Sequence, residues 1–130
     1  MAVEAQGAYI VESWPAGADL SDKQFRYVKL SSSTVVACSA ATDIPVGVLQ
    51  NKPVSGRAAE VCMFGPTKVK SSGAITEGAL IGTSADGRAD AKVAGTDTTE
   101  YICGRALEAA SGADEIIAAV VDCINPARAA

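Results

Sequence analysis

The sequence predicts an all-β or mainly β domain, and two properties of its composition lead to that prediction. Of its 130 residues, 48% are hydrophobic but only 5% are aromatic. Ala, Val and Ile therefore supply most of the apolar side chains, and β-branched residues favour strands. Twelve glycines and five prolines divide the chain into short segments, which is typical of short strands joined by turns. The length fits one compact barrel-like or sandwich-like domain, or two very small domains.

The first predicted strands form a hairpin. Residues 25–30 alternate apolar and cationic side chains, which is close to the period of a half-buried strand. Three serines at 31–33 end it, and residues 34–38 form the second arm. Residues 46–50 and 60–64 are then expected to be strands on either side of a Pro/Ser/Gly turn, with Cys62 and Phe64 on one face of the second. Gly65-Pro66 predicts a break before a short strand at 67–70.

The second half of the chain is also predicted to form short strands joined by turns. Residues 79–83 and 88–92 are strand candidates on either side of Asp86-Gly87, a strong hairpin-turn signal. The last two predicted strands are 101–107 and 115–124. The Ala-rich stretch 105–119 has helix propensity and leaves a short helix open, but Ser111-Gly112 interrupts it and favours strand, turn and strand.

An internal similarity suggests two related β-units. Gly47 precedes Ser55-Gly56 and an apolar strand, and Gly104, 57 positions later, precedes Ser111-Gly112 and another apolar strand. The two Ser-Gly pairs are 56 positions apart. A unit in two copies is too few for a solenoid, so both copies are expected within one domain.

Three segments are predicted along the chain: an extended N-terminal arm at 1–16, a β-rich domain at 17–124 and a flexible tail at 125–130. The arm carries large aromatic side chains around an apolar pair, and aromatic residues anchor many interfaces. The alternative is a terminal strand that folds back on its own core. The candidate interface residues are Tyr9, Val11, Trp14 and Pro15.

The residue types needed for common chemistry are missing, so we expect a protein that is not an enzyme and has no catalytic residue, cofactor or metal. The chain has no histidine, which excludes His-based triads and HExxH metal sites. It has no phosphate-binding glycine motif. Its net charge is −4 without a run of Lys or Arg, so nucleic acid is not an expected partner. The aspartates lie mostly in turn-rich segments, where turn hydrogen bonding explains them better than Ca²⁺ binding.

The four cysteines are expected to be buried free thiols. Cys38, Cys62, Cys103 and Cys123 form no CxxC pair, and free cysteine is among the most buried residue types. Disulfides or a metal site are the alternatives. No signal peptide and no apolar run long enough to cross a membrane is seen, so synthesis in a cytoplasm and no membrane partner are expected.

Several stretches resemble the capsid decoration (cement) proteins of tailed phages. The resemblance spans residues 15 to 124 and rests on glycine and turn motifs, none of which includes a catalytic residue. The matching stretches are GVLQNKPVSG at 47–56, AEV at 59–61, GPTKVK at 65–70, GAITEGAL at 73–80, ADLS at 18–21, FRYVKL at 25–30 and SADGRA at 84–89.

The resemblance implies a small β-rich structural protein on the exterior of an assembled virion head, made in the host cytoplasm. Such proteins sit as homotrimers or at three-fold and quasi-three-fold positions, bridge major capsid protein subunits and resist the pressure of packaged DNA. Two other classes stay open from the residues alone: a small carrier or accessory β-domain, and a phage tail or adhesin module.

Overall fold

The computed structural model describes residues 9–130, which form strands and turns without a helix. This confirms the all-β prediction, and the helix considered for 105–119 is not formed. None of the described residues therefore lies in a helix capable of crossing a membrane. The strands are β1 (Ile10–Pro15), β2 (Tyr27–Ser31), β3 (Thr34–Ala37), β4 (Gly47–Leu49), β5 (Ala58–Lys70), β6 (Leu80–Thr83), β7 (Ala89–Ala91), β8 (Tyr101–Ile102), β9 (Gly104–Ala106), β10 (Ile116–Asp122) and β11 (Ala127–Arg128).

The first unit of the main sheet has the order β3-β2-β4-β5-β1, with every neighbouring pair antiparallel. The predicted hairpin is present, since β2 and β3 pair from Val28 opposite Ala37 onwards. β1 pairs with the first part of β5. An isolated parallel bridge joins Ala16 to Val35, so the unit curls until its first strand meets its hairpin.

The second unit has the corresponding order β7-β6-β9-β10-β5, and its outer strand is the second part of β5. The predicted turn at Asp86-Gly87 joins β6 to β7, with Gly87 at a φ of 86°. An isolated parallel bridge again closes the curl, here between Ser71 and Ala89. The main sheet is therefore two consecutive curled units that share β5, as the internal similarity suggested.

Backbone hydrogen bonds show the equivalence in detail. In the first unit the Gly17 N–H donates to Val35 O over 2.8 Å, and in the second the Ser72 N–H donates to Ala89 O over 2.8 Å. The turn residue Gly56 corresponds to Asp114, not to Gly112 as the Ser-Gly match implied. Both have a positive φ, 83° and 64°. The Gly56 N–H donates to Ala16 O and the Asp114 N–H to Ser71 O, the carbonyls of the residues directly after β1 and β5.

The break predicted at Gly65-Pro66 is wrong, because β5 runs through both residues as one strand of 13. Gly65 has a φ of 115°, a conformation that glycine adopts without a Cβ penalty, so the strand can bend there. Phe64 is opposite both Ile10 of β1 and Asp122 of β10. The glycine and proline thus mark the point where β5 passes from one unit to the other.

The buried apolar residues form two cores. In the first, Val28, Val35, Leu49 and Val61 are buried, and Trp14 packs against this cluster. The second core joins the two units, since it contains Val69, Ile81, Ile117 and Val121 together with Tyr27 of β2 and the four cysteines. All four cysteines are buried and unpaired, as predicted.

The two ends of the chain are held in different ways. Ile10–Pro15 of the predicted arm is an edge strand on β5, while residues 1–8 of that arm lie outside the described residues. At the other end, Ala127 and Arg128 pair with β8, and Ala129 is buried. The prediction of a flexible tail at 125–130 had not included these contacts. The predicted segment boundaries stay predictions.

Candidate functional site

The edge strand β1 presents apolar side chains to solvent. Tyr9, Ile10 and Val11 are 54%, 43% and 40% exposed, although β1 is paired with β5 along one edge. Among residues 9–130, the other edge of β1 has no strand partner until the Ala16–Val35 bridge, directly after the strand ends. A strand that leaves both backbone groups and apolar side chains exposed is a template for pairing with another chain.

Two more exposed apolar residues lie where β1 meets β10. Phe64 is the cross-strand partner of Ile10, and it also pairs with Asp122, two residues before Ile124. Both Phe64 and Ile124 are exposed. We call Tyr9, Ile10, Val11, Phe64 and Ile124 the junction surface, since they lie in or near the strand segments that meet at Phe64. Side chains alternate along a strand, so Ile10 shares a face with Phe64 while Tyr9 and Val11 lie on the opposite face of β1.

An open groove continues from the junction surface across the second unit. Its volume is about 280 Å³, and its apolar lining includes Phe64, Leu80, Ile102, Val120 and Ala127. Asp122 also lines the groove, with its Oδ1 accepting hydrogen bonds from the N–H groups of Ile124 and Asn125. The groove extends the apolar surface that a partner could cover.

The rim of the junction surface is acidic. Glu12 and Glu60 are exposed on β1 and β5, and Asp122 lies beside Phe64. An apolar centre with a charged rim is the usual anatomy of a protein interface. A partner that covers this surface would match it best with a cationic border.

The structure separates the four predicted interface residues. Tyr9 and Val11 lie on the junction surface, and Pro15 is exposed at the far end of β1. Trp14 is half-buried and packs against the first core, which is the alternative role considered for an aromatic residue in this segment.

Sequence reasoning did not include Ile10, Phe64 and Ile124 among the candidate residues. Alternation placed Phe64 on the strand face of Cys62, a residue expected to be buried, and so gave no signal of its exposure. Ile10 gave no signal because its exposure depends on β1 being an edge strand.

The described residues provide apolar binding surface on β1 and around Phe64. Among them, no group of three His, Cys, Asp or Glu side chains is placed to hold a metal ion. What the junction surface can supply is apolar area, at roughly 25 cal/mol for each Å² removed from water, together with the unpaired backbone edge of β1.

None of the protein-family models and none of the curated proteins compared with the chain matches it. Among solved structures, the chain is similar to the N base of head fiber gp8.5 in bacteriophage phi29. The TM-score is 0.64 with 18% sequence identity, and the match covers 88% of this chain and 95% of that one. At this identity the likeness shows the fold, which the two chains share over nearly their whole lengths.

Proposed function

We propose that this protein is a structural, non-enzymatic component of a phage head, which docks on the outer surface of the capsid and bridges neighbouring major capsid protein subunits. Two similarities support a head-associated role: the glycine and turn motifs of decoration proteins, and the fold of a phage head fiber base. The observation that carries the proposal for this chain is the junction surface, a group of exposed apolar residues on both faces of β1 and at Phe64 and Ile124, beside an open strand edge.

The geometry suits docking by strand addition. Within residues 9–130, the outer edge of β1 has N–H and C=O groups over Ile10–Trp14 without a strand partner, and an extended segment of a capsid subunit could pair with them. Main-chain hydrogen bonds would supply affinity, and the exposed side chains of Tyr9 and Val11 would select the partner.

A bridging role does not require a tight single contact. Many copies on one head, each touching more than one subunit, gain avidity from repeated modest interfaces. We extend the proposal to a homotrimer at three-fold or quasi-three-fold positions, where each copy would present its junction surface to a different subunit.

Co-sedimentation with heads tests the docking role. Wild-type protein added to heads of the phage that encodes it, purified without it, should pellet at a saturable ratio to the major capsid protein. Val11→Asp and Phe64→Asp each place a charge on the junction surface and should weaken binding about tenfold or more. Leu30→Asp, a matched change at an exposed residue of β2, should bind as wild type does.

Two outcomes would contradict the proposal. If wild-type protein stays in the supernatant, the head-docking role is wrong. If all three variants bind equally well, the junction surface is not where docking occurs. Sedimentation equilibrium of the free protein tests the trimer separately. The trimer would be excluded if the free protein is a monomer at all concentrations and head-bound copies are also monomeric.

A further inference from the structure

A second surface, distinct from the junction surface, surrounds Phe25. The ring lies between two open hollows of about 340 Å³ and 430 Å³, and it contributes to the lining of both. Lys52 and Lys70 line the first hollow and Lys68 the second. We call Phe25, Lys52, Lys68 and Lys70 the Phe25–lysine surface.

The charge of this surface opposes that of the chain as a whole. The protein carries a net charge of −4, yet Asp22 is the one acidic side chain among the described residues that line the hollows. Asp22 is paired with Lys23 at 3.6 Å. A local cationic patch on an acidic protein attracts anionic groups at short range while the remaining surface repels them.

In the described part of the chain, the lysines of this surface differ from several other basic residues in their ion pairing. Arg26, Lys29, Arg88 and Lys92 each lie within 4 Å of a carboxylate. Within residues 9–130, Lys52, Lys68 and Lys70 have no salt-bridge partner in that range. Lys68 Nζ instead lies 5.9 Å from the centroid of the Phe25 ring, a cation–π distance that keeps its charge beside the aromatic face.

The backbone at Phe25 is strained, and the internal repeat shows that the fold itself does not need a side chain there. Phe25 has a φ of 66°, which is rare for a bulky residue. The equivalent residue of the second unit is Gly78, at a φ of 85°. Both N–H groups donate to the strand that follows the hairpin, to Leu49 O over 2.7 Å and to Ala106 O over 2.9 Å. Strain of this kind clusters at binding sites.

We infer that the Phe25–lysine surface binds an acidic segment of a partner protein, with an apolar side chain of that segment against Phe25 and Ile116 and its carboxylates beside the lysines. Ile116 is exposed and lines the first hollow, so the apolar floor has two members. This site is separate from the junction surface, and its existence does not depend on the proposed head role.

Titration with defined peptides tests the inference on the purified full-length chain. The probe is a short glutamate-rich peptide with a central leucine, and its counterpart has glutamine in place of every glutamate. Amide chemical shifts should change for Phe25, Lys52, Lys68 and Lys70 with the glutamate peptide alone. Binding should weaken about tenfold when the salt concentration rises well above physiological, since exposed charges are screened.

Charge-reversal variants separate a site from a general effect of net charge. Lys52→Glu and Lys70→Glu should each weaken binding of the glutamate peptide about fivefold or more, the usual consequence of reversing a charge at an interface. Arg128→Glu makes the same change of net charge on β11, where the Arg128 side chain donates an exposed hydrogen bond to Thr98 O, and should leave binding unchanged. Phe25→Gly should lose binding while the chain stays folded.

Three results would overturn the inference: equal weakening by all three reversals, equal binding of the glutamine peptide, or shifts confined to other residues. Dextran sulfate serves as a probe of the alternative partner class. If it binds through the same lysines while the glutamate peptide does not, the surface recognises a sulfated polysaccharide and the inference is wrong.

Discussion

Gly47 and Gly104 occupy equivalent positions in the two units. Gly47 packs against a backbone carbonyl oxygen of β5, and Gly104 packs against one of β10. A Cβ on Gly104 would lie 2.5 Å from the carbonyl oxygen of Val120, and one on Gly47 would meet that of Cys62 even more closely. The two glycines that begin the repeated pattern in the sequence are thus required by the same close contact in each unit.

Because the contact is the same in both units, replacing either glycine by alanine should lower the free energy of unfolding by a similar amount. Gly47→Ala and Gly104→Ala should each destabilise the protein by about 1–3 kcal/mol, because backbone must move to admit the Cβ. Urea unfolding monitored by the Trp14 fluorescence and by circular dichroism measures both. If either variant unfolds at the wild-type midpoint, its unit is not packed as described.

Gly73 and Gly78 allow the cost of backbone conformation to be measured without a steric clash. A Cβ on Gly78 or on Gly73 would meet nothing within 4 Å, but Gly78 has a φ of 85° and Gly73 does not lie in the left-handed region. Gly78→Ala should therefore cost about 1 kcal/mol, whereas Gly73→Ala should be neutral or stabilising by a few tenths of a kcal/mol. Equal unfolding midpoints for the two variants would show that the conformation at Gly78 is not fixed.

Asp86 predicts a pH-dependent contribution to stability. Hydrogen bonds from Arg88 hold the pKa of the Asp86 carboxyl well below its usual range, with Ser84 Oγ donating a further bond over 2.7 Å. Because the folded-state pKa is depressed, the stabilisation is fully present above the unfolded pKa of about 3.9. It is lost as the pH falls below that value towards the folded pKa.

Asp86→Asn should consequently destabilise the protein at neutral pH by about 1 kcal/mol or less, since Asp86 is half exposed and screened by solvent. The difference from wild type should shrink as the pH is lowered through about 3. Urea midpoints across this range measure it, with Glu77→Gln as the control at an exposed loop carboxylate. A difference that stays constant with pH would mean that the charge on Asp86 is not what stabilises the turn.

The cysteines are expected to be unreactive in the native protein. Burial raises the pKa of the Cys38 thiol to about 12 and raises that of Cys62 as well. The neighbouring Cys103 thiol, together with burial, raises the pKa of Cys123. The thiolate is the reactive form, and Cys103 is fully buried. Iodoacetamide at neutral pH should therefore leave all four cysteines unmodified until denaturant is added. Intact mass after native labelling measures this, and rapid addition of even one adduct would contradict the described core.

The sequence predicted what depends on neighbouring residues and missed what depends on distant pairing. The hairpin at β2 and β3 and the turn at Asp86-Gly87 follow from alternation and turn chemistry. The path of β5 through Gly65-Pro66 does not, because Pro66 is tolerated in this strand opposite Val120 of β10, a partner more than 50 residues away.

The same limit applies to the candidate site. Tyr9 and Val11 could be selected as large apolar residues in a terminal segment. Phe64 could not be selected in this way, because its place opposite Ile10 and Asp122 follows from the strand registers. The equivalence of Gly56 with Asp114 was missed for a related reason, since a positive φ is shared by two different residue types.

Amide hydrogen exchange on the head-bound protein tests most directly whether the protein docks on a phage head through β1 and the junction surface, as we propose. Exchange followed by mass spectrometry, with and without heads, should show new protection in peptides covering residues 9–16 and 62–66. Hairpin peptides covering β2 and β3 should exchange equally in both states. Unchanged exchange of β1 on saturated heads, with protection elsewhere, would contradict the claim.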